Sequence, residues 1–490
     1  MKQLWAIVLL SLFLSSCSHG QYPDNLTVIP SDASVVLCLN MDQLQKKASV
    51  QSGDGSAFVD LSAQMAVVKA PMLKSWFNEP RKSGINFQQA IFGFETSQHQ
   101  VGVAFLLRSE SDFEKSLRKA LSQKPYPISS ITSFAKGKYL FLSDQDSTVL
   151  VWDRHKLLVL LHSTPKQALH IFMTTAQQSI VTNVDFDNFY QHRQDLSCWI
   201  DAKRLMDGFF TGLYASRSNQ NEEFFHAYLS FNQGSIDLKA DGVTSLLPSS
   251  LLDVGGHDSL PDLLPASSFL LTHVALNPEA VLNVFEAKKR LGSKDAWASL
   301  VHAWTGHAVL SLIGFSEGDF ALPQVVLLAE LKDKAGFNVL INELLKGFSH
   351  QQKDGLTMVS VQMIPLYAAL KGKTMLLTTS FTFAHGFIKS AENKPTNSTH
   401  AMSSTVANPF YFYLNLDFDH YPKGFNDFLQ QFNAGESLDM FRQAFLFRDL
   451  LVNVNPSCQQ VTMHCQMKDS TQNSLHVIVQ QLNDLFVSKH

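Results

Sequence analysis

Short apolar runs recur along this chain, each closed by Asn or Asp and followed by a segment with the apolar spacing of a helix. Val35-Val36-Leu37-Cys38-Leu39-Asn40, Leu196-Ser197-Cys198-Trp199-Ile200-Asp201, His273-Val274-Ala275-Leu276-Asn277 and Tyr413-Leu414-Asn415-Leu416-Asp417 share that plan. Side chains of Asn and Asp accept hydrogen bonds from the free N–H groups of a first helical turn, so they punctuate strand-to-helix junctions. After Asn277 comes Pro278, which suits a first helical position because its missing N–H is not needed there.

The order of elements also recurs over a longer range. Phe92-Gly93-Phe94 matches Ile313-Gly314-Phe315, and Ala104-Phe105-Leu106-Leu107 matches Val325-Val326-Leu327-Leu328. Helices are predicted to follow, over residues 111–122 and 333–347, and Ser111 with Glu114 has the spacing of a capping box. Hairpins turn near Asp153-Arg154-His155-Lys156 and Lys371-Gly372-Lys373, and further helices begin near Pro165 and Ser380. An alternating strand closes each series, Ile236-Asp237-Leu238-Lys239-Ala240 or Val461-Thr462-Met463-His464-Cys465-Gln466-Met467. Such alternation gives a sheet one buried face and one polar face.

The expected fold class is therefore α+β, with two homologous halves, each a largely antiparallel sheet with helices packed on one face. The halves cover residues 29–245 and 264–490, joined by a linker at 246–263 that holds Pro248, Ser249, Ser250, Gly255 and Gly256. Residues 46–85 have no clear counterpart in the second half, and residues 393–408 read as a long polar loop. Chance likeness among apolar strands is the competing account of the repeat.

The amino terminus carries a different pattern. Lys2 precedes an apolar stretch at residues 4–14, the arrangement of a secretory signal. That stretch is too short for a membrane-spanning helix, which needs about 20 residues. It leads into Leu14-Ser15-Ser16-Cys17, which resembles the lipobox of bacterial lipoproteins. The resemblance implies a signal peptide at residues 1–16, cleavage before Cys17, diacylglycerol on the Cys17 sulfur and a tether at residues 17–28. A polar stretch of this length keeps the folded part within roughly 30 Å of the bilayer. Ser18 stands where an aspartate-type inner-membrane retention signal would sit, and Ser18-His19-Gly20-Gln21 lacks the acidic cluster of surface-exported lipoproteins. The expected address is the outer membrane, with the periplasmic face favoured over the cell surface.

Composition narrows the function classes. Hydrophobic residues make up 45% of the 490, including 37 phenylalanines, enough for substantial cores and against disorder of the whole. A net charge of −4 gives no basic footprint, so nucleic acid is not an expected partner. Beyond Cys17, Cys38 and Cys198 lie in strand-like apolar runs, as small buried hydrophobes do. Cys458 and Cys465 are the remaining pair that an exported chain can oxidise.

Candidate chemistry is thin. His302 and His307 lack the spacing of a zinc-protease helix, with Gly306 between them. Cys458, His464 and Cys465 suggest metal ligands, but strand alternation sends His464 and Cys465 to opposite faces. No cofactor or metal is expected. The acid pairs Asp144/Asp146, Asp185/Asp187 and Asp417/Asp419 fit turns and helix starts better than acid–base catalysis. Trp297 with Trp304, and Tyr411-Phe412-Tyr413, are candidate glycan platforms or else parts of a Phe-rich core.

Ile29-Pro30-Ser31-Asp32-Ala33-Ser34-Val35-Val36, a dozen residues beyond the lipobox cysteine, resembles the opening of Bacteroidetes lipoproteins of domain-of-unknown-function family 4836. The resemblance extends over most of the mature chain through the recurrence near Leu264. It implies location and architecture, and brings no catalytic residues. The expected protein is a cell-envelope lipoprotein held to the membrane by Cys17, a non-catalytic binding or scaffold protein with an envelope protein or glycan as partner. A glycan- or peptide-binding module and an envelope hydrolase are the alternatives.

Overall fold

A computed structural model describes residues 22–48, 76, 80–122, 130–142, 147–206, 224–242, 251, 260–265, 268–287, 294–316, 321–344, 348–361, 364–390, 409–421, 424–425, 427–428, 446–455 and 460–487. It is α+β, with strands that pair antiparallel. The chain divides into two compact units, Met1–Phe231 with Leu475–His490, and Asn232–Ser474.

The first unit contains β1 (Ala33–Leu39), α1 (Met41–Ala48), β2 (Ile91–Thr96), β3 (Val101–Leu106), α2 (Glu110–Ser122), β4 (Thr132–Phe134) and β5 (Gly137–Leu142). It continues through β6 (Thr148–Trp152), β7 (Lys156–Leu161), α3 (Pro165–Phe172), α4 (Val184–Gln191), β8 (Leu196–Asp201), α5 (Ala202–Met206) and β9 (Phe224–Asn232). Its strands lie in the order β4-β5-β6-β7-β3-β2-β1-β8-β9. One face of this sheet presents Val36, Phe92, Phe94, Val151, Leu158 and Trp199 to the apolar sides of α3 and α4, among them Ile171, Phe172, Phe186 and Phe189. Both helices start where the local chemistry provides a cap. Thr164 and Gln167 form a capping box before α3, and the Asn183 side chain accepts from the N–H groups of Asp185 and Phe186 before α4.

The second unit contains β10 (Ser235–Asp241), β11 (Leu270–Ala275), α6 (Pro278–Ala287), α7 (Lys294–Ala303), β12 (Trp304–Phe315), β13 (Pro323–Leu331) and α8 (Lys334–Val339), which runs into a π-helical turn at Leu340–Leu344. Then come β14 (His350–Lys353), β15 (Leu356–Val361), β16 (Ile364–Lys371), β17 (Thr374–Thr378), α9 (Phe381–Lys389), β18 (Phe410–Asn415), β19 (Phe447–Asn455) and β20 (Gln460–Met467). The last helix, α10 (Ser474–Val487), runs back into the first unit. Strand order here is β14-β15-β16-β17-β13-β12-β11-β18-β19-β20-β10. From β14 to β19 it follows the same succession as β4 to β9. Ala384 and Phe387 of α9 pack on Val326, Leu328 and Leu376.

Helices cover both faces, which differs from the one-sided cover expected from sequence. Val151 belongs to the α3 and α4 core, so its neighbour Trp152 points to the opposite face. There it meets Phe113 of α2, edge-on with ring centroids 5.4 Å apart. In the second unit Leu300 of α7, Phe337 of α8 and Leu340 pack on Ala329, Leu331 and Met375, away from the α9 side. Strand positions that alternate apolar with apolar bury both sides and need a helix on each.

Other expectations are also revised. Ser111 and Glu114 form no capping box. Ser109 Oγ accepts from the Asp112 N–H at 3.2 Å instead, two residues earlier, and Glu114 binds Lys138. Asn277 caps α6, accepting from the N–H groups of Glu279 at 3.0 Å and Ala280 at 3.4 Å, whereas the Asp417 side chain caps nothing and serves an ion pair. The compact units divide at Phe231/Asn232, and β10 pairs with β20 along its whole length, from Ser235 opposite Gln466 to Asp241 opposite Gln460. Most of the expected linker lies outside the described residues, as does the loop at 393–408. Leu260, near the end of that stretch, is buried in the second unit's core beside Leu264, which follows it.

Gly84 holds a positive φ of 76°, and a Cβ there would stand 2.3 Å from the Phe113 backbone nitrogen. Gly84→Ala should therefore lower unfolding stability by more than about 1 kcal/mol, read from urea denaturation.

Candidate functional site

The feature that stands out is one face of the second unit's sheet. Register places Leu238, Met463, Val452, Phe412, Thr272 and Leu310 in one row across β10, β20, β19, β18, β11 and β12. The row on one side is Ala240, Val461, Val454, Phe410, Val274 and Ala308, and that on the other is Ile236, Cys465, Leu450, Leu414, Leu270 and Leu312. None of these side chains is charged. Leu310 is 43% exposed, Val454 and Cys465 are buried, and the rest are half-buried. Apolar surface that folding leaves in part to water marks an interaction site when it is contiguous.

The first unit repeats the arrangement. Ala227, Cys198, Leu37, Gly93, Val103 and Val159 form a row across β9, β8, β1, β2, β3 and β7, with Leu37 39% exposed. These positions alternate with the residues that face α3 and α4.

The closing strands β10 and β20 turn polar side chains to their other face. His464 Nδ1 lies 2.5 Å from Asp237 Oδ1, directly across the ladder. Asp237 also accepts from Asn232 and Ser235, and His464 Nε2 lies 3.2 Å from Gln466. Burial alone would lower the His464 pKa, but the bonds to Asp237 and Gln466, together with the charges of Asp237 and Asp449, outweigh it and the imidazole stays charged to higher pH. For Asp237, burial pulls upward, and the bonds from His464, Asn232 and Ser235 with the His464 charge together hold the carboxyl below its ordinary range.

In the first unit Asp185 accepts from Trp199 Nε1 at 2.8 Å and lies 2.7 Å from His226 Nε2. Burial would raise its pKa, yet the two donors prevail and lower it. The His226 ring packs against Phe189 and Tyr228, centroids 5.6 and 6.3 Å away. This is the geometry of a carboxylate that orients an imidazole inside an aromatic core.

The other sequence candidates scatter. Cys17, Cys458 and Asp144/Asp146 lie outside the described residues, as does the Trp297 side chain. Asp187 accepts from Tyr22, while Asp417 and Asp419 both hold Lys468, at 3.1 and 3.3 Å. His302 pairs with Glu279 at 3.1 Å. Tyr411 is buried and Tyr413 packs against the second core, so of that stretch Phe412 alone faces the apolar rows. Trp304 donates its indole N–H to the His307 carbonyl at 2.7 Å. Cys465 is a free thiol on the apolar side, and burial, with the Asp449 carboxylate, pushes its pKa up to about 11. Among the described residues no group of His, Cys, Asp and Glu has the geometry to hold a metal ion. The apolar rows went unrecognised in the sequence, although the strand alternation at Ile236–Ala240 and Val461–Cys465 carries their signal.

Residues 25–475 match the model of a family described as domain of unknown function (DUF4836), and the chain belongs to that family. No functionally curated protein matches it. A solved structure titled crystal form I of TP0453 is similar over 48% of this chain and 90% of that one, at 11% identity and a TM-score of 0.29, too distant to bear on function.

The His464–Asp237 pair predicts a pH dependence. With its pKa raised above the ordinary 6.5, His464 contributes stability in full below that value and loses it as pH rises through the raised midpoint. Asp237, with its pKa lowered, contributes above its ordinary 3.8 and loses it as pH falls through the lowered value. Imidazole NMR should show His464 titrating above 6.5, and Asp237→Asn should move that midpoint downward.

Proposed function

We propose that this protein is an exported, lipid-anchored binding protein of the bacterial cell envelope, acting without catalysis. The observation that carries the binding role is the uncharged, part-exposed sheet face crossed by Leu238, Met463, Val452, Phe412, Thr272 and Leu310. A surface of that kind holds a partner through apolar contact and offers no group for bond-making chemistry. Its anchor is diacylglycerol on Cys17, supported by the lipobox-like Leu14-Ser15-Ser16-Cys17 behind a short apolar stretch. Among the described residues no helix is long and apolar enough to cross a membrane. Ser18 and the lack of acidic residues just after it favour the periplasmic face of the outer membrane.

The two units are, in this reading, duplicated copies of one ancestral module. The shared strand succession supports that origin. Among the described residues the pairs Asp185/Asp187 and Asp417/Asp419 are occupied in structural bonds to Trp199, His226, Tyr22 and Lys468, which weighs against the hydrolase alternative.

Cys17→Ala should move the protein from the membrane pellet to the soluble fraction when cells are fractionated. Mass spectrometry of the native protein should find an acylated Cys17 as the first residue. A variant that stays in the pellet refutes lipid anchoring.

A further inference from the structure

We infer that the exposed side of α4, with Val184 at its start, rests on the surface of the bilayer that holds Cys17; the inference rests on the anchoring proposed above and names the part of the protein that meets the membrane. Residues 22–28, the greater part of the expected tether, belong to the first unit. Leu26, Val28 and the following Ile29 are buried in its core. Asn25 donates through Nδ2 to the carbonyls of Ala90 at 2.8 Å and Ala104 at 3.3 Å. The Tyr22 hydroxyl donates to Asp187 of α4, and the Tyr22 ring lies 5.5 Å from that of Tyr190. The chain that leads back to Cys17 therefore leaves the described residues beside α4. Cys17 stands five residues before Tyr22, at most about 18 Å of extended chain. A lipid on its sulfur draws this side of the first unit to the bilayer.

The surface at that exit suits a lipid boundary. Val184 and Asp187 are three apart in α4, so their Cβ atoms stand about 5–6 Å from each other on one side of the helix. Val184 is 84% exposed, more than any other large hydrophobic side chain among the described residues. One exposed valine is ordinary on a protein surface; its place beside the tether is what assigns it. The approach to it carries no charge, since residues 173–184 hold neither an acidic nor a basic side chain. Asp187 is engaged by Tyr22 and by Gln191 Nε2 at 3.2 Å, and Arg193 is turned over the Tyr190 ring, 4.0 Å from its centroid. Uncharged amides and hydroxyls enter a headgroup layer without stripping water from an ion. The contact draws on apolar burial rather than on attraction to anionic lipid. A link this short holds the surface at an effective concentration on the order of millimolar, so even a weak contact is populated.

The test uses the lipidated protein with the photo-crosslinking residue p-benzoylphenylalanine replacing Val184, Asn188 or Arg118. Each variant is reconstituted in phosphatidylethanolamine vesicles with and without phosphatidylglycerol. Asn188 is exposed four residues beyond Val184 on the same side of α4, and Arg118 is exposed on α2 across the sheet. After illumination, mass spectrometry should find phospholipid joined to positions 184 and 188 at least about ten-fold more often than to position 118, alike in both kinds of vesicle. Thermal melting shows whether each variant is folded, and position 188 serves alone if the Val184 variant is not. Equal yields at all three positions, or adducts that require phosphatidylglycerol, overturn the inference. So does a protein joined to position 184 in place of lipid when whole cells are illuminated, which assigns the surface to a protein partner. Fractionation of Cys17→Ala decides anchoring separately. A soluble Cys17 variant without lipid adducts at position 184 of the lipidated protein refutes this inference alone, whereas a Cys17 variant that stays in the pellet removes the tether and refutes both.

Discussion

A strand must pair its backbone N–H and C=O groups on both sides, and it must send successive side chains to opposite faces. In this protein the strands are apolar at nearly every position in the middle of each sheet, so pairing alone creates two apolar faces. Burying one is the work of α3 and α4 in the first unit and of α9 in the second. On the other face lie α2 in the first unit and α7 and α8 in the second.

Strand positions, the main turns and several helix starts were legible in the sequence because they rest on local chemistry. Asp153 accepts from the N–H groups of His155 and Lys156 in its turn, Gly372 takes a positive φ, and Ser380 caps α9. What sequence could not supply was the destination of each face. Cys38 and Cys198 both read as buried hydrophobes. Register puts Cys38 in the first core, while Cys198 stands opposite the exposed Leu37 on the other side. Long-range ion pairs were equally hidden. Asp417 sits at a strand end that looks like a helix cap, yet Lys468, 51 positions away, takes its carboxylate.

Polar groups within the sheets are held in small closed sets rather than spread along a cleft. Asp185 satisfies an indole and an imidazole at once, and Asp237 an imidazole, an amide and a hydroxyl. Each set joins elements distant in the sequence, which fixes register where apolar packing by itself is tolerant of sliding. Carboxylates engaged in this way are stabilised as anions, and burial keeps the thiols of Cys38, Cys198 and Cys465 protonated, with pKa values of about 12, 11 and 11.

The return of residues 475–490 to the first unit has a consequence for biogenesis. His476 places its imidazole against the Ala48 carbonyl at 2.7 Å, joining α10 to the helix that follows the first strand. The whole of Asn232–Ser474 thus lies between two parts of one compact unit. The portion of the chain that is made first gains its closing helix last, after everything between has been synthesised. Folding from the amino terminus onward stops short of completion until then, and this interval is when apolar strands stand most in need of a chaperone.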